Sequence, residues 1–461
     1  MRGWHPSRRE LLLTLAASAV GTATHAQEAS TPATLRARKV KRQVLAPDGP
    51  PTELWELTVD GSLPVLRARQ GVEFHLQISN ELDVELWLHF HGVRGGYEAM
   101  TVQVPAHTTS PVDVRFTPPD AGTFLILPLL NASRQRDMGL QALLIVEEAE
   151  PPANFNDVPL VFDDWIIGDD GKLDENFGDL NAAIAEGRQG NWFTVNGAFK
   201  PRITIERNRN NRLRLANVAN ARSFTLQFKN TDLSLLALDG QPVPMRALGP
   251  ESITLAPGQR VDLLLVNPLD QVIISIDLFE DVVESSFLLA SGQTPPPLPD
   301  RFSLPANPLT PVGEVSEARV VPVVIAGGAK GGLKSARVGE EEMELRAMLE
   351  RGLAWAINGV AGTGGPMLMD ARKGETLILD VVNQTNFSQP LHIHGHVWKV
   401  IEQDGQPVAD APWRDTHVVV AQGKAKLLMV ADNPGQWALQ SLVAERLDAG
   451  LIAGFTVSDM P

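Results

Sequence analysis

The sequence contains no cysteine. That absence excludes a disulfide framework, a thiol nucleophile and any thiolate ligand to a metal. No uninterrupted apolar run of about 18 residues occurs either, so no membrane-spanning helix is predicted. Basic charge is in short supply: 40 Lys and Arg stand against 55 Asp and Glu, for a net charge of -15. A chain this acidic is a poor match for nucleic acid or anionic lipid. There is no methionine-rich segment, so Met100, Met343 and Met348 read as packing residues rather than metal ligands. The glycine- and lysine-rich stretch Ala326 to Ser335 reads as a mobile loop. It is not a phosphate-binding loop, because Leu333 rather than lysine follows Gly332.

What is present suits an exported, mostly β protein. The 461 residues exceed one compact core and fit two to four domains. At the N-terminus, Ser7-Arg8-Arg9-Glu10-Leu11-Leu12 carries a twin arginine. A mostly apolar run, Leu11 to Ala23, and the small-residue site Thr24-His25-Ala26 follow it. This order predicts a cleavable signal peptide over residues 1–26, of the Tat type, and a periplasmic location. A Sec signal that contains two arginines is the alternative. Glu147 to Pro152 and the proline-rich run Thr294 to Pro299 divide the remainder into units 27–150, 151–293 and 294–461. Within them, Leu213 and Leu215 alternate with Arg212 and Arg214, and Phe224, Leu226 and Phe228 alternate with Thr225 and Gln227. Both segments predict half-buried strands. Many such runs separated by turn signals such as Asp239-Gly240 predict β-sandwiches. One helix is expected, from Glu340 to Arg351.

The chemistry-bearing stretch is Leu391-His392-Ile393-His394-Gly395-His396. Histidine at every second residue of a strand places the imidazoles on one face, and imidazole on a rigid strand is a common ligand for copper, zinc or iron. A second pair, His89-Phe90-His91-Gly92, lies roughly three hundred residues earlier. The two pairs are useful together only if the fold brings their strands to one place. His396 reads as a supporting residue, and His75, His107 and His417 as isolated strand or surface residues.

These motifs resemble the three-domain multicopper oxidases, the laccase-like proteins. Leu88 to Gly92 is similar to their first copper motif, and Gly122-Thr123-Phe124 to the start of the second. Gly139 to Glu147 is similar to the end of their first domain, and Val195-Asn196-Gly197 and Leu255 to Asp262 to signatures of the second. His392 to His396 resembles the third copper motif. Trp413 to Thr416 and Trp437 through Gly450 resemble the closing segment. The likeness runs over nearly all of the chain beyond residue 26. It implies an all-β fold of three cupredoxin-like Greek-key β-sandwich domains.

The resemblance also implies a cysteine-ligated type 1 copper and a trinuclear site that reduces dioxygen, and here the chain departs from it. Leu127 and Leu129 stand where the second motif has histidines. Gln389 stands for the type 1 histidine, and Gln440, Ser441 and Leu442 for His-Cys-His. Arg446 stands for the last histidine and Leu451 for the axial ligand. Met100-Thr101 and Leu447 lie where carboxylate proton donors are expected, with Glu98 close by. No type 1 copper and no laccase-type turnover are therefore expected. His89 and His392 correspond to the two type 2 copper ligands, and His91 and His394 to one ligand each of the type 3 pair. If the outer domains pack together, His89, His91, His392 and His394 face one cavity that suits one copper or zinc. The opposing expectation is a relic in which the imidazoles are hydrogen-bonded and metal-free. Three functions stay open: an exported scaffold with a periplasmic protein partner, similar to the copper-free division protein of the family; a copper buffer or delivery protein; and an oxidoreductase using only a type 2-like copper.

Overall fold

The computed structural model describes residues 32–459 apart from 46–48, 60–63, 250–251, 279–280, 294–297, 299–301 and 363–364. The expected signal peptide, and all of the proline-rich run except Leu298, lie outside the described residues. Strands dominate, arranged as six sheets that form three sandwiches in succession. The first sandwich pairs a four-stranded sheet with a five-stranded one. The second pairs six strands with five, and the third nine with five. The chain is all-β, with three cupredoxin-like domains. No described helix is long and apolar enough to cross a membrane.

The histidine strands lie in the five-stranded sheets of the first and third sandwiches. Strand Leu86–His91 sits between Gly122–Pro128 and Thr101–Val104, and strand Gln389–Ile393 between Gly435–Ser441 and Thr416–Val419. Alternation places Leu88 and Phe90 in the core of the first sandwich, and Leu391 and Ile393 in that of the third. The intervening histidines are thereby turned outward, toward the neighbouring sandwich. One apolar cluster runs through both of these sandwiches, whereas the second has a core of its own.

Two expectations fail in instructive ways. Strand Asn210–Asn217 is buried on both faces, not one. Its Arg212 and Arg214 face the first sandwich, where Arg212 meets Glu148 and Asp262, and Arg214 meets Asp157 and Thr123. Charged side chains alternate correctly here but are buried because each finds a counter-charge. The helix is also shorter than expected. Glu341–Glu344 forms an edge strand with only Met343 buried, and the helix covers Leu345–Glu350. A run of glutamates with one inward methionine satisfies the strand period as well as the helical one, and charge on an edge strand resists further pairing. The predicted loop is strand only at its ends, where Ala326 and Gly327 close strand Arg319–Gly327 and Ser335 opens strand Ser335–Val338, which pairs with Glu341–Glu344.

After the proline-rich run, the linker packs into the junction between sandwiches. Asn307 donates to the carbonyls of Ala121 (3.0 Å) and Gly240 (3.1 Å), and its oxygen accepts from Ala121 N at 2.9 Å. Arg94 joins the first sandwich to the third, donating to Asp120 at 2.7 Å and to Asp432 at 2.8 Å.

Candidate metal centre

The four histidines of the two paired motifs meet where the first and third sandwiches touch. All are buried, His91 and His392 fully and His394 the least at 5% exposed. The rings of His89 and His394 stack with centroids 3.8 Å apart, and those of His91 and His392 at the same 3.8 Å separation. Two donor sets converge, His89 with His392 and His394, and His91 with His392 and Asp415. Within each set the ligand atoms lie within 4.8 Å of one another.

Hydrogen bonds on the far side of the His89 and His392 rings leave their inner nitrogens bare. His392 donates Nδ1–H to the Asp415 carbonyl at 3.1 Å. His89 Nδ1 lies 3.0 Å from Thr101 Oγ1 and is also served by the Met100 carbonyl. His91 Nε2 lies 3.0 Å from both the Gly258 carbonyl and Arg260 Nη1, and its Nδ1 faces the cluster without a partner. The inner nitrogens, Nε2 of His89, His392 and His394 and Nδ1 of His91, are buried without a hydrogen-bond partner. Burial, then the mutual repulsion of the rings, lowers the His89 pKa to about 3 and holds His91 and His394 well below the ordinary imidazole range. These rings are neutral at pH 7, the state in which imidazole binds a metal.

A ring of charges holds the cluster in place. Arg260, from the second sandwich, grips Asp415 of the third through Nη1 at 2.9 Å and Nη2 at 2.5 Å. Its Nε donates to the Thr123 carbonyl of the first at 3.1 Å. Burial pushes the Asp415 carboxyl up, but Arg260 and His392 overcome this and hold it well below the usual carboxylate range. The glycines beside the cluster are required by space. A side chain on Gly92 (φ +86°) would strike Arg260 and Asp415, and one on Gly258 (φ +73°) would press on Leu442 and His91.

The residues that stand for the type 1 ligands form a different arrangement. Arg446 is buried and donates to the Gln389 Oε1 at 2.9 Å and the Ser388 carbonyl at 2.7 Å. It also donates to Ala185 of the second sandwich, and its guanidinium lies 5.1 Å from the Trp355 ring centre. Ser441 Oγ accepts from Val443 N, and Leu451 is fully buried. A guanidinium bonded to an amide oxygen does not fit a copper ion. Leu127 lies directly across from His89, in an apolar cluster with Leu125 and Leu143.

Three sequence profiles described as multicopper oxidase match residues 39–151, 148–272 and 340–461. The chain belongs to the multicopper oxidase family. Among relatives, the multicopper oxidase MmcO of Mycobacterium tuberculosis is 24% identical over 416 residues, 82% of this chain and 77% of the relative. The cell division protein FtsP of Proteus mirabilis is 24% identical over 434 residues, 87% of this chain and 84% of that protein. The crystal structure of a multi-copper oxidase from Pseudomonas thermotolerans superposes with a TM-score of 0.79 at 26% identity. It covers 93% of this chain and 99% of that one.

Within the family frame, the other singled-out residues are accounted for structurally. His396 is buried against Trp437 and Phe455, and its Nδ1 lies 3.0 Å from the His394 carbonyl. His75 pairs with Asp113, His107 with Asp83, and His417 with Gln403. Met100, Met343 and Met348 are buried in apolar clusters. Glu98 is exposed and supplies no ligand to either donor set. Asp415 and Arg260 were not singled out from the sequence, although both lie inside the family signatures quoted for it. Arg136, buried beside the cluster, carries no sequence signal at all. An apolar cleft of about 420 Å³ between the first and second sandwiches contains none of the histidines.

Proposed function

We propose that this chain is an exported multicopper-oxidase homologue that holds one mononuclear copper and performs no laccase-type oxidation. The observation that carries the reading is the convergence of unpartnered imidazole nitrogens from His89, His392 and His394. Four buried ring nitrogens without partners are costly in the absence of a donor or ion. A metal bound there relieves that cost and ties the first sandwich to the third. His91 stands adjacent, its outer nitrogen against the Gly258 carbonyl and Arg260.

The absence of oxidase turnover rests on the other pocket. Copper in the family's first acceptor position takes electrons through a thiolate, and here Arg446 and Gln389 occupy that position in a chain without cysteine. Bound copper would supply a redox-active Lewis acid. The protein's own residues bind and orient it, exclude water with Leu125 and Leu127, and keep the rings deprotonated. Complete burial of the donors favours retention over exchange, so a structural ion in a scaffold suits the site better than a copper buffer. The metal-free scaffold is a second reading, supported by similarity to a cell division protein.

The test is metal content of protein purified from copper-supplemented cells, beside the double variant His89→Ala with His392→Ala. One copper per chain that disappears in the variant is the expected result. A metal-free wild type would leave the scaffold alone, and dioxygen consumption with phenolic donors would overturn the non-oxidase half.

A further inference from the structure

Building on the metal reading above, we infer that the centre is tuned to the charge of its ion, taking monovalent copper, Cu(I), in preference to the divalent Cu(II) or Zn(II). Imidazole alone accepts all three, so the surroundings decide.

The donors bring no negative charge. His89, His392 and His394 are neutral ligands, and Asp415, the one carboxylate in the two donor sets, is already neutralised by both Nη atoms of Arg260. A divalent ion would therefore sit in a buried, leucine-walled chamber with no anionic ligand to offset it. The cost of burying an ion rises with the square of its charge, which penalises a dication far more than a monocation.

Arg136 adds a fixed positive charge to this chamber. It is 3% exposed, on the short helix Ala132–Asp137. Its Nη1 donates to the Leu442 carbonyl at 3.2 Å and its Nε reaches the Pro128 carbonyl at 3.4 Å, while Nη2 has no partner. Pro128 follows Leu127, the cross-strand partner of His89. Leu442 lies two residues beyond Gln440, the cross-strand partner of His392. The guanidinium thus stands against the two strands that, in the resemblance, would have carried further copper ligands.

No ion pair to Arg136 is present among the described residues. Glu445 and Asp448 lie near it and offset part of its charge, but each is held by amides: Glu445 accepts from Asn220 at 2.8 Å, and Asp448 from the backbone N–H groups of Ala132 and Ser133. Its contact with the Pro128 carbonyl, one residue from the cross-strand partner of His89, brings that charge to the edge of the cluster. Arginine keeps its proton in proteins, so this charge is permanent. At an effective dielectric of about 20, a fixed unit charge within about a nanometre disfavours a dication relative to a monocation by roughly tenfold.

The experiment is chelator competition on the full folded chain, with bicinchoninate for Cu(I) under anaerobic conditions and an aminocarboxylate for Zn(II), a dication without redox chemistry. Wild type is expected to bind Cu(I) more tightly than Zn(II). In Arg136→Met both affinities rise, and because Coulomb energy scales with ion charge the factor for Zn(II) is the square of that for Cu(I). Arg136→Lys keeps the charge and leaves the ratio of the two constants unchanged. The inference is overturned if wild type prefers Zn(II), or if Arg136→Met changes both affinities by the same factor. If neither ion binds, the metal reading itself fails and this inference with it. Should Arg136→Met not fold, the wild-type preference and the Lys variant still decide.

Discussion

Replacing Arg260 with methionine tests whether the cluster is held together from the second sandwich. The side chain is fully buried and contacts all three sandwiches: Asp415 in the third, the Thr123 carbonyl in the first, and Gly258 in its own. Arg260→Met leaves the Asp415 carboxylate in a dry site with only Thr416 Oγ–H and His392 to answer it. Removing one partner of a buried ion pair typically costs about 3–5 kcal/mol. Replacing both, with Asp415→Leu added, removes the stranded charge and should recover much of that loss. The double variant is then expected to be less destabilised than the sum of the single ones by about 2–3 kcal/mol. Urea unfolding followed by tryptophan fluorescence measures this, using the first transition, because three sandwiches need not unfold in one step. A cost below about 1 kcal/mol for Arg260→Met would refute the reasoning, since that is the range of an exposed pair.

Three further expectations follow from the geometry. Burial lowers His396 to about 4, below its ordinary value of 6.5, so the unfolded chain binds more protons in between. Its contribution is complete above about pH 6.5 and lost as pH falls toward 4, roughly 2 kcal/mol by pH 5. The pH slope of stability should shrink by about one proton in His396→Gln, and an unchanged slope would contradict the assignment. Ser441→Cys introduces a thiol where the family has one, yet no intense blue band is expected on adding Cu(II), because Arg446 and Gln389 still fill the pocket. Appearance of that band would mean the pocket can rearrange around copper. Gly258→Ala places a methyl against Leu442 and His91 at positive φ. It should cost about 1–3 kcal/mol in thermal unfolding, and a neutral result would mean the neighbours yield.

Much of the fold and the outline of the site are legible in the chain. Period-two histidines in His89-Phe90-His91 and His392-Ile393-His394 specify strands with one chemical face, and the family signatures between them specify the sandwiches that join those faces. What local pattern cannot carry is the identity of partners distant in sequence. Arg212 and Arg214 read as a solvated face, yet Glu148, Asp157 and Asp262 make burial tolerable. The same holds for Arg260 with Asp415, separated by 155 positions. Glu340 to Arg351 misled because a charged edge strand followed by one helical turn mimics an amphipathic helix. Arg136 was invisible for a simpler reason: nothing in its neighbours along the chain indicates that its guanidinium is buried near His89.

The most direct test of the central claim is a crystal of the copper-loaded protein measured at the copper absorption edge. The account predicts one anomalous peak per chain, among His89, His392 and His394. No peak there, or any peak beside Ser441 and Arg446, would contradict it.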